Sequence, residues 1–285
     1  MFAQYDYFNH IWALLTPPSL RKELIVSTAD RKELILSQLK EASFLSVEEL
    51  SRLAHASEAT IRRDLTTLEE EGLVQRKRGG ASYVNPEFIH WPLAFRKKEN
   101  YDENIRIARI AARLVEDGSS IYLDSSSTCL CLAQALTAKR NLTAASCSVP
   151  TVEALAENDT YRVECSGGIY TSKHASMRGP DTCSFFQSRF ANIGFVSALG
   201  FSAQMGLSDY STEERAIKRA IRANCRTLVA LVDHSKMGAT HYLQDLSLSE
   251  IDILVTDMRL PDDLADACYD ASIRVLVPQP STAHA

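Results

Sequence analysis

Apolar residues recur every three or four positions between Asp30 and Gly72: Leu34, Ile35 and Leu39, then Val47, Leu50 and Leu53, then Ile61, Leu65 and Leu68. That spacing predicts three short amphipathic helices, each burying one stripe. The start signals agree. DRKE (30–33) and SVEE (46–49) read as capping boxes, and Ser57 reads as the N-cap of the third helix, which runs from about Glu58 to Glu71 and stops at Gly72. The following LVQRKRGGASYV predicts two short strands turning around Gly79-Gly80. Three helices, the last two separated by a tight turn, and then a hairpin make the sequence shape of a winged helix-turn-helix.

From Tyr101 the period changes. ENIRIARIAARLVEDG, STCLCLAQAL, VPTVEALAEN and STEERAIKRAIRANC read as helices, whereas SIYLD, LTAASCS, YRVECSGG, ANIGFVSALG, TLVALVD and IDILVTD read as strands. Strands alternating with helices predict a parallel sheet with crossover helices, an α/β domain. The expected organisation is an N-terminal extension over 1–29, a winged helix-turn-helix DNA-binding domain over 30–84, a linker over 85–100 and an α/β domain over 101–280. The extension contains Pro17-Pro18, which breaks any helix, and the linker carries the basic run Arg96-Lys97-Lys98 beside Phe88, Trp91 and Phe95.

Composition narrows the function classes. At 285 residues, 45% hydrophobic and 24% charged, the chain is globular in composition, and its net charge of -5 excludes a surface that binds nucleic acid throughout. Seven scattered cysteines, an odd number without a CxxC pair, read as free thiols in a reducing compartment. No apolar run approaches the length of a membrane span, and the first twenty residues lack the basic start of a signal peptide, so a cytoplasmic protein without membrane association is expected. No cofactor, metal ligand set or catalytic group is expected.

Position matters more than total charge in the first domain. Residues 31–84 contain nine basic and nine acidic side chains, but the cations crowd onto the first half of the third helix and the wing. In a helix-turn-helix the N-terminal residues of the second helix of the pair meet base edges. Ser57, Thr60, Arg62, Arg63 and Thr67 on that helix, with Arg76, Lys77 and Arg78 on the wing, are therefore the candidate contacts to double-stranded operator DNA. Arg62, beside the core stripe, is the one aimed at a backbone phosphate. Glu69 to Glu71 are expected to turn away from DNA.

SVEELSRLAHASEATIRRDLTTLEEEGLVQRKRGGA resembles the helix-turn-helix signature of the DeoR family of bacterial transcriptional regulators; TIRRDL, LEEEGL and RxxGGA carry the likeness. It implies that Thr60, Arg62 and Arg63 touch operator DNA, and that the chain is a repressor working as a homo-oligomer, a dimer or tetramer.

The second domain offers polar loops where strands end. LDSSST follows a buried strand and opens a helix, and Ser146-Cys147-Ser148 and Gly167-Gly168 end two further strands. Ligands of open α/β sheets bind at the carboxyl ends of strands, and phosphate favours helix N-termini there. Asp124, Ser125, Ser126, Ser127, Thr128, Ser146, Ser148, Gly167, Gly168 and Lys236 are the candidate effector contacts. DSSST, SCS, GG (167–168), GP (179–180), ERAIK (214–218) and DHSKMG (233–238) resemble the family's effector domain over about 101–277, which implies a fold like ribose-5-phosphate isomerase and a phosphorylated sugar or similar small anionic metabolite as effector. The chain departs from the family at Ser126-Ser127-Thr128, where Gly-Thr-Thr is usual, and at SALG (197–200), where Leu199 replaces an Asp. The alternative reading is a sugar-phosphate isomerase-like enzyme with a regulatory DNA-binding appendage, using Asp124, Asp209, Glu214 or Asp233 as base.

Overall fold

The computed structural model describes residues 28–42, 44–70, 73–83, 93–96 and 100–278. Two compact units divide the chain, Met1–Asn85 and Pro86–Ala285.

The first unit runs α1 (Thr28–Glu41), β1 (Leu45–Ser46), α2 (Val47–Leu53), α3 (Glu58–Glu70), β2 (Val74–Lys77) and β3 (Gly80–Tyr83). Its core is made of Ile35, Leu36 and Leu39 of α1, Val47 and Leu50 of α2, Ile61, Leu65 and Leu68 of α3, and Leu73, Val74 and Ala81 around the hairpin, all buried. Ser46 caps α2 with the expected capping box, exchanging bonds with Glu49. Ser57 accepts from the Thr60 N–H at 3.2 Å and so caps α3.

Three expectations fail in detail. The first helix starts at Thr28, so Asp30 lies inside its first turn, where a carboxylate suits the helix dipole, and DRKE is not its capping box. Leu34 is only half buried, with Leu36 taking its place in the core, and Leu53 is exposed, with Ala54 buried instead. A 3.6-residue period leaves such neighbouring choices open, and the packing partner decides them. Glu71 and Gly72, assigned above to the end of the third helix, lie outside the described residues, as do the aromatics Phe88 and Trp91 and most of residues 1–29.

β2 and β3 pair antiparallel from Val74↔Tyr83 to Lys77↔Gly80, and β1 adds to the other edge of β3. Gly79 turns the hairpin at φ 85, in the left-handed region that glycine occupies without strain. A Cβ at Gly80 would strike the Leu45 carbonyl, which allows β1 to lie this close.

The second unit is built on a seven-stranded, all-parallel sheet. In chain order its strands are β4 (Ser120–Leu123), β5 (Thr143–Ser146), β6 (Arg162–Cys165), β9 (Ala191–Val196), β12 (Cys225–Val232), β14 (Ile253–Thr256) and β15 (Arg274–Leu276). Their spatial order is β15-β14-β12-β9-β4-β5-β6. The chain starts in the middle, runs out through β5 and β6, then returns to the other side of β4. The topological switch point therefore lies between β4 and β9.

Helices α5 (Tyr101–Ala111), α6 (Ser127–Ala135) and α7 (Val149–Ala156) belong to the layer on one face, where Ile107, Leu132 and Leu155 meet Ile121, Leu123, Phe195 and Leu231. α8 (Pro180–Gln187), α9 (Thr212–Ala223) and α10 (Asp262–Asp270) form the other layer, with Phe186, Ile217, Ile221 and Leu264 on Tyr122, Val196 and Ala230. Burial on both faces explains why these strands read as continuous apolar runs. The hairpin β7 (Ile169–Thr171) and β8 (Ser176–Arg178) and the antiparallel sheet β10 (Gly200–Ser202), β11 (Gly206–Asp209) and β13 (Leu243–Leu246) were not expected from the sequence. Ahead of α5 a single turn, α4 (Leu93–Arg96), buries Leu93 and donates from its N–H to the Lys173 carbonyl at 3.2 Å.

Candidate functional site

On α3 the residues of Arg62-Arg63-Asp64 divide by direction. Asp64 is buried and receives Arg31 from α1 at 2.6 and 3.3 Å, a bidentate pair joining the two helices. Arg62 and Arg63 point outward. Arg62 pairs with Glu58 one turn back at 2.7 Å, with 57% of its side chain exposed. An exposed pair of this kind contributes little to stability, so a phosphate can displace the carboxylate. Thr60 shares a 2.9 Å hydroxyl–hydroxyl bond with Ser57 at the helix start. Thr67 is half buried, its hydroxyl donating to the Arg63 carbonyl.

The wing is tied to the same helix. Arg76 donates from its guanidinium to the Thr66 hydroxyl and from its backbone to Glu69, both at 2.9 Å. Glu69 thus serves as a brace for the wing. Lys77 and Arg78 are exposed beside Arg76.

In the second unit the expected loops sit on adjacent strand ends, those of β4, β5 and β6. Asp124 spans the switch point: its carboxylate accepts the Ser126 N–H at 2.9 Å and, across from β9, the Ser197 N–H at 2.8 Å. Ser126 caps α6 by accepting from Cys129. Ser125 donates to Glu214 at 2.9 Å, and Thr128 donates to Asn104 of α5 at 2.8 Å, both inside the protein. Ser127 is buried in the first turn of α6. Ser146 accepts from the Ser148 N–H at 3.0 Å, and Ser148 caps α7. Gly167 and Gly168 both take positive φ, and a Cβ at Gly168 would meet Thr182 and the Arg178 backbone, so this pair makes room for α8. Lys236 lies in the turn after β12, 3.1 Å from Asp233 and 3.1 Å from the Ser197 hydroxyl.

Several charged groups at this end of the sheet went unassigned in the sequence. Buried Arg178 places its two terminal nitrogens on Glu214 at 2.6 Å and Glu213 at 3.1 Å. Lys218 lies 3.2 Å from Asp245, 3.4 Å from Asp209 and 3.9 Å from Glu214, all buried. Burial alone would lower the lysine pKa; the three carboxylates outweigh it and hold the ammonium charged. Burial raises Asp245 to about 6 despite Lys218. Burial would also raise Asp233, but Lys236 and Ser235 outweigh it and keep that carboxyl below its ordinary range. Arg178 directly precedes the GP pair and Lys218 closes ERAIK. The motifs were visible, but nothing local marked these two cations as buried.

Among the described residues Glu103, His234 and Asp257 bring ligand atoms within 4.8 Å of one another, but Arg106 already pairs with Glu103 at 3.0 Å and with Asp257 at 3.7 Å. No described helix is long and apolar enough to cross a membrane.

A winged helix-turn-helix with an outward cationic helix, followed by a parallel α/β unit with a polar switch point, defines a DNA-binding transcriptional regulator with a sensor unit. The chain belongs to the DeoR family. Residues 31–87 match the DeoR-like helix-turn-helix domain and residues 99–258 match the DeoR C terminal sensor domain. It is 33% identical to the HTH-type transcriptional regulator GolR of Listeria innocua, over 87% of this chain and 98% of that protein. It is 30% identical to the HTH-type transcriptional repressor GlcR of Bacillus subtilis, over 82% and 89%. With the glycerol-3-phosphate regulon repressor of Escherichia coli it shares 29% identity over 85% and 95%. Among solved structures, ribose 5-phosphate isomerase A of Methanocaldococcus jannaschii aligns at a TM-score of 0.36 and 18% identity, over 49% of this chain and 55% of that one.

Proposed function

We propose that the protein is a cytoplasmic repressor whose operator affinity is set by a small phosphorylated metabolite bound at the carboxyl ends of β4, β5, β6 and β9. Ser57, Thr60, Arg62, Arg63 and Thr67 on α3 and Arg76, Lys77 and Arg78 on the wing form the operator face, Arg62 on phosphate and Arg63 toward base edges. The protein acts as a dimer or tetramer, because helix-turn-helix proteins read paired half-sites by their own two-fold symmetry. Two of the relatives are named repressors, and one name specifies glycerol-3-phosphate, a phosphorylated polyol.

The observation that carries the effector reading is the Asp124 bridge. One carboxylate accepts N–H groups from both sides of the switch point, so the first turn of α6 and the Ser197 loop are held together where an open α/β sheet takes its ligand. The N-terminal amides of α6 and the Lys236 ammonium supply the anion site. Ser125–Thr128, Ser146, Ser148, Gly167 and Gly168 shape it.

Isomerase chemistry is the weaker reading. With both oxygens engaged by backbone N–H groups, Asp124 has no oxygen directed at a carbon-bound proton, and Leu199 stands where the family carries an Asp.

The test is a thermal-shift screen of phosphorylated metabolites on the full chain, followed by operator gel shifts with each hit. A true effector raises the melting temperature and changes operator affinity by about 5–150-fold. Lys236→Met is expected to keep operator binding while losing both responses. A panel that moves neither quantity rules out the effector reading, and turnover of any phosphosugar revives the enzyme.

A further inference from the structure

The basic run after the wing, Arg96-Lys97-Lys98, has no part in the reading above. Of these only Arg96 is described, and it sits in α4, the turn through which the chain enters the second unit. A four-residue helix has no stability of its own, so α4 holds its place through what it touches. Leu93 at its start is buried and bonds to Lys173. Arg96 at its end directs both terminal guanidinium nitrogens to the Ser125 carbonyl in the effector loop, each at 3.5 Å, the long limit of a hydrogen bond. The charges acting on the guanidinium belong to the same site: Glu214, Asp124 and Asp209 attract it and Arg178 repels it. Four residues on, Asn100 donates to Asp233 at 3.0 Å and to the Ser235 hydroxyl at 2.8 Å, in the turn that carries Lys236. Arg96 and Asn100 thus fasten the entry into this unit at two points of the site's rim, one after β4 and one after β12.

We propose that Arg96 is a direct ligand of the effector's anionic group and the latch by which effector binding holds this entering segment on the sensor unit. The proposal rests on the effector site argued above and adds its means of regulation. A planar guanidinium grips phosphate through two parallel N–H···O bonds, which are shorter and stronger than long contacts to a neutral carbonyl. An anion between Arg96 and the first turn of α6 therefore exchanges a long contact to a neutral carbonyl for a strong one. Because the segment is continuous in sequence with the wing, ligand binding changes how tightly the chain leading from the DNA-binding unit is held.

Hydrogen–deuterium exchange on the full chain, with inorganic phosphate as probe and chloride at matched ionic strength as control, tests this alongside the thermal shift. Phosphate is expected to raise the melting temperature and to slow exchange in the peptide spanning 93–104. In Arg96→Met the apparent phosphate affinity falls about tenfold or more, the equivalent of one charge-assisted hydrogen bond, and the peptide stops responding while a reduced thermal shift survives. Arg96→Lys keeps the charge without the fork and is expected to fall between the two, which guards against a folding defect in the Met variant. A wild-type thermal shift without protection of the peptide, or an Arg96→Met protein that responds as wild type does, overturns the latch and leaves the effector reading standing. Absence of any phosphate effect on the wild type overturns the latch, and the effector reading then stands or falls on the metabolite panel.

Discussion

Replacing Lys218 by methionine tests whether the polar floor of the sensor holds together as a charge-balanced cluster. The ammonium is buried among Asp245, Asp209 and Glu214 at 3.2 to 3.9 Å, and Glu214 in turn positions Arg178 and Ser125. Methionine keeps the apolar stem, so what is lost is the charge. Removing one partner of a buried ion pair costs about 3–5 kcal/mol, because the remaining charges stay buried without compensation. A domain of this size loses about 2–4 °C per kcal/mol, so the sensor's transition should fall by about 10 °C near neutral pH. The sign of the pH dependence follows from the same cluster. Asp245 already titrates at about 6 with the lysine present, and without the ammonium it rises further above its unfolded value. An acid whose folded pKa is raised contributes stability below its unfolded pKa and loses it as pH climbs through the folded one. The gap between variant and wild type should therefore be small at about pH 4 and widen toward neutrality. Scanning calorimetry of the full chain across a pH series measures both quantities. A variant that melts with the wild type at neutral pH, or a gap of constant size, would refute the reasoning.

Three further outcomes are expected. Arg63→Ala should weaken specific operator binding by about 1–3 kcal/mol and relax sequence preference, whereas Arg62→Ala should weaken all sequences alike and lower the salt slope by about one phosphate contact; gel shifts over a salt series that leave both variants at wild-type affinity would detach α3 from DNA. Gly80→Ala forces a methyl into the backbone of Leu45 and Ser46 and should destabilise the first unit by about 1–3 kcal/mol, read by circular dichroism on urea unfolding; an unmoved midpoint shows that β1 gives way freely. Asp64→Ala strands the half-buried Arg31 and should cost about 2 kcal/mol in the same assay, while Arg31→Met with Asp64→Leu should recover much of it; equal losses for the single and double variants contradict that account.

Much of the architecture was carried by local patterns. Three helices with Ile61, Leu65 and Leu68 inward, the Ser46–Glu49 capping box and the hairpin at Gly79 all follow from interactions within a few residues, and so do the alternating strands and helices after Tyr101. The likeness of TIRRDL and its flanks to a DNA-binding signature came from the same stretch. Tertiary structure decided the rest. Leu53 faces out and Ala54 in because α3 and β3 fix the rotation of α2. β13 was missed because it is four residues long and pairs with β11 across more than thirty residues of chain, which no local period records. Arg178, Lys218 and Arg96 look like ordinary surface cations in sequence. A charge can be buried only where opposite charge meets it, and here Asp209, Glu214, Asp245 and Asp124 are brought from other strands and helices, so the charged half of the site existed only once the sheet had been assembled.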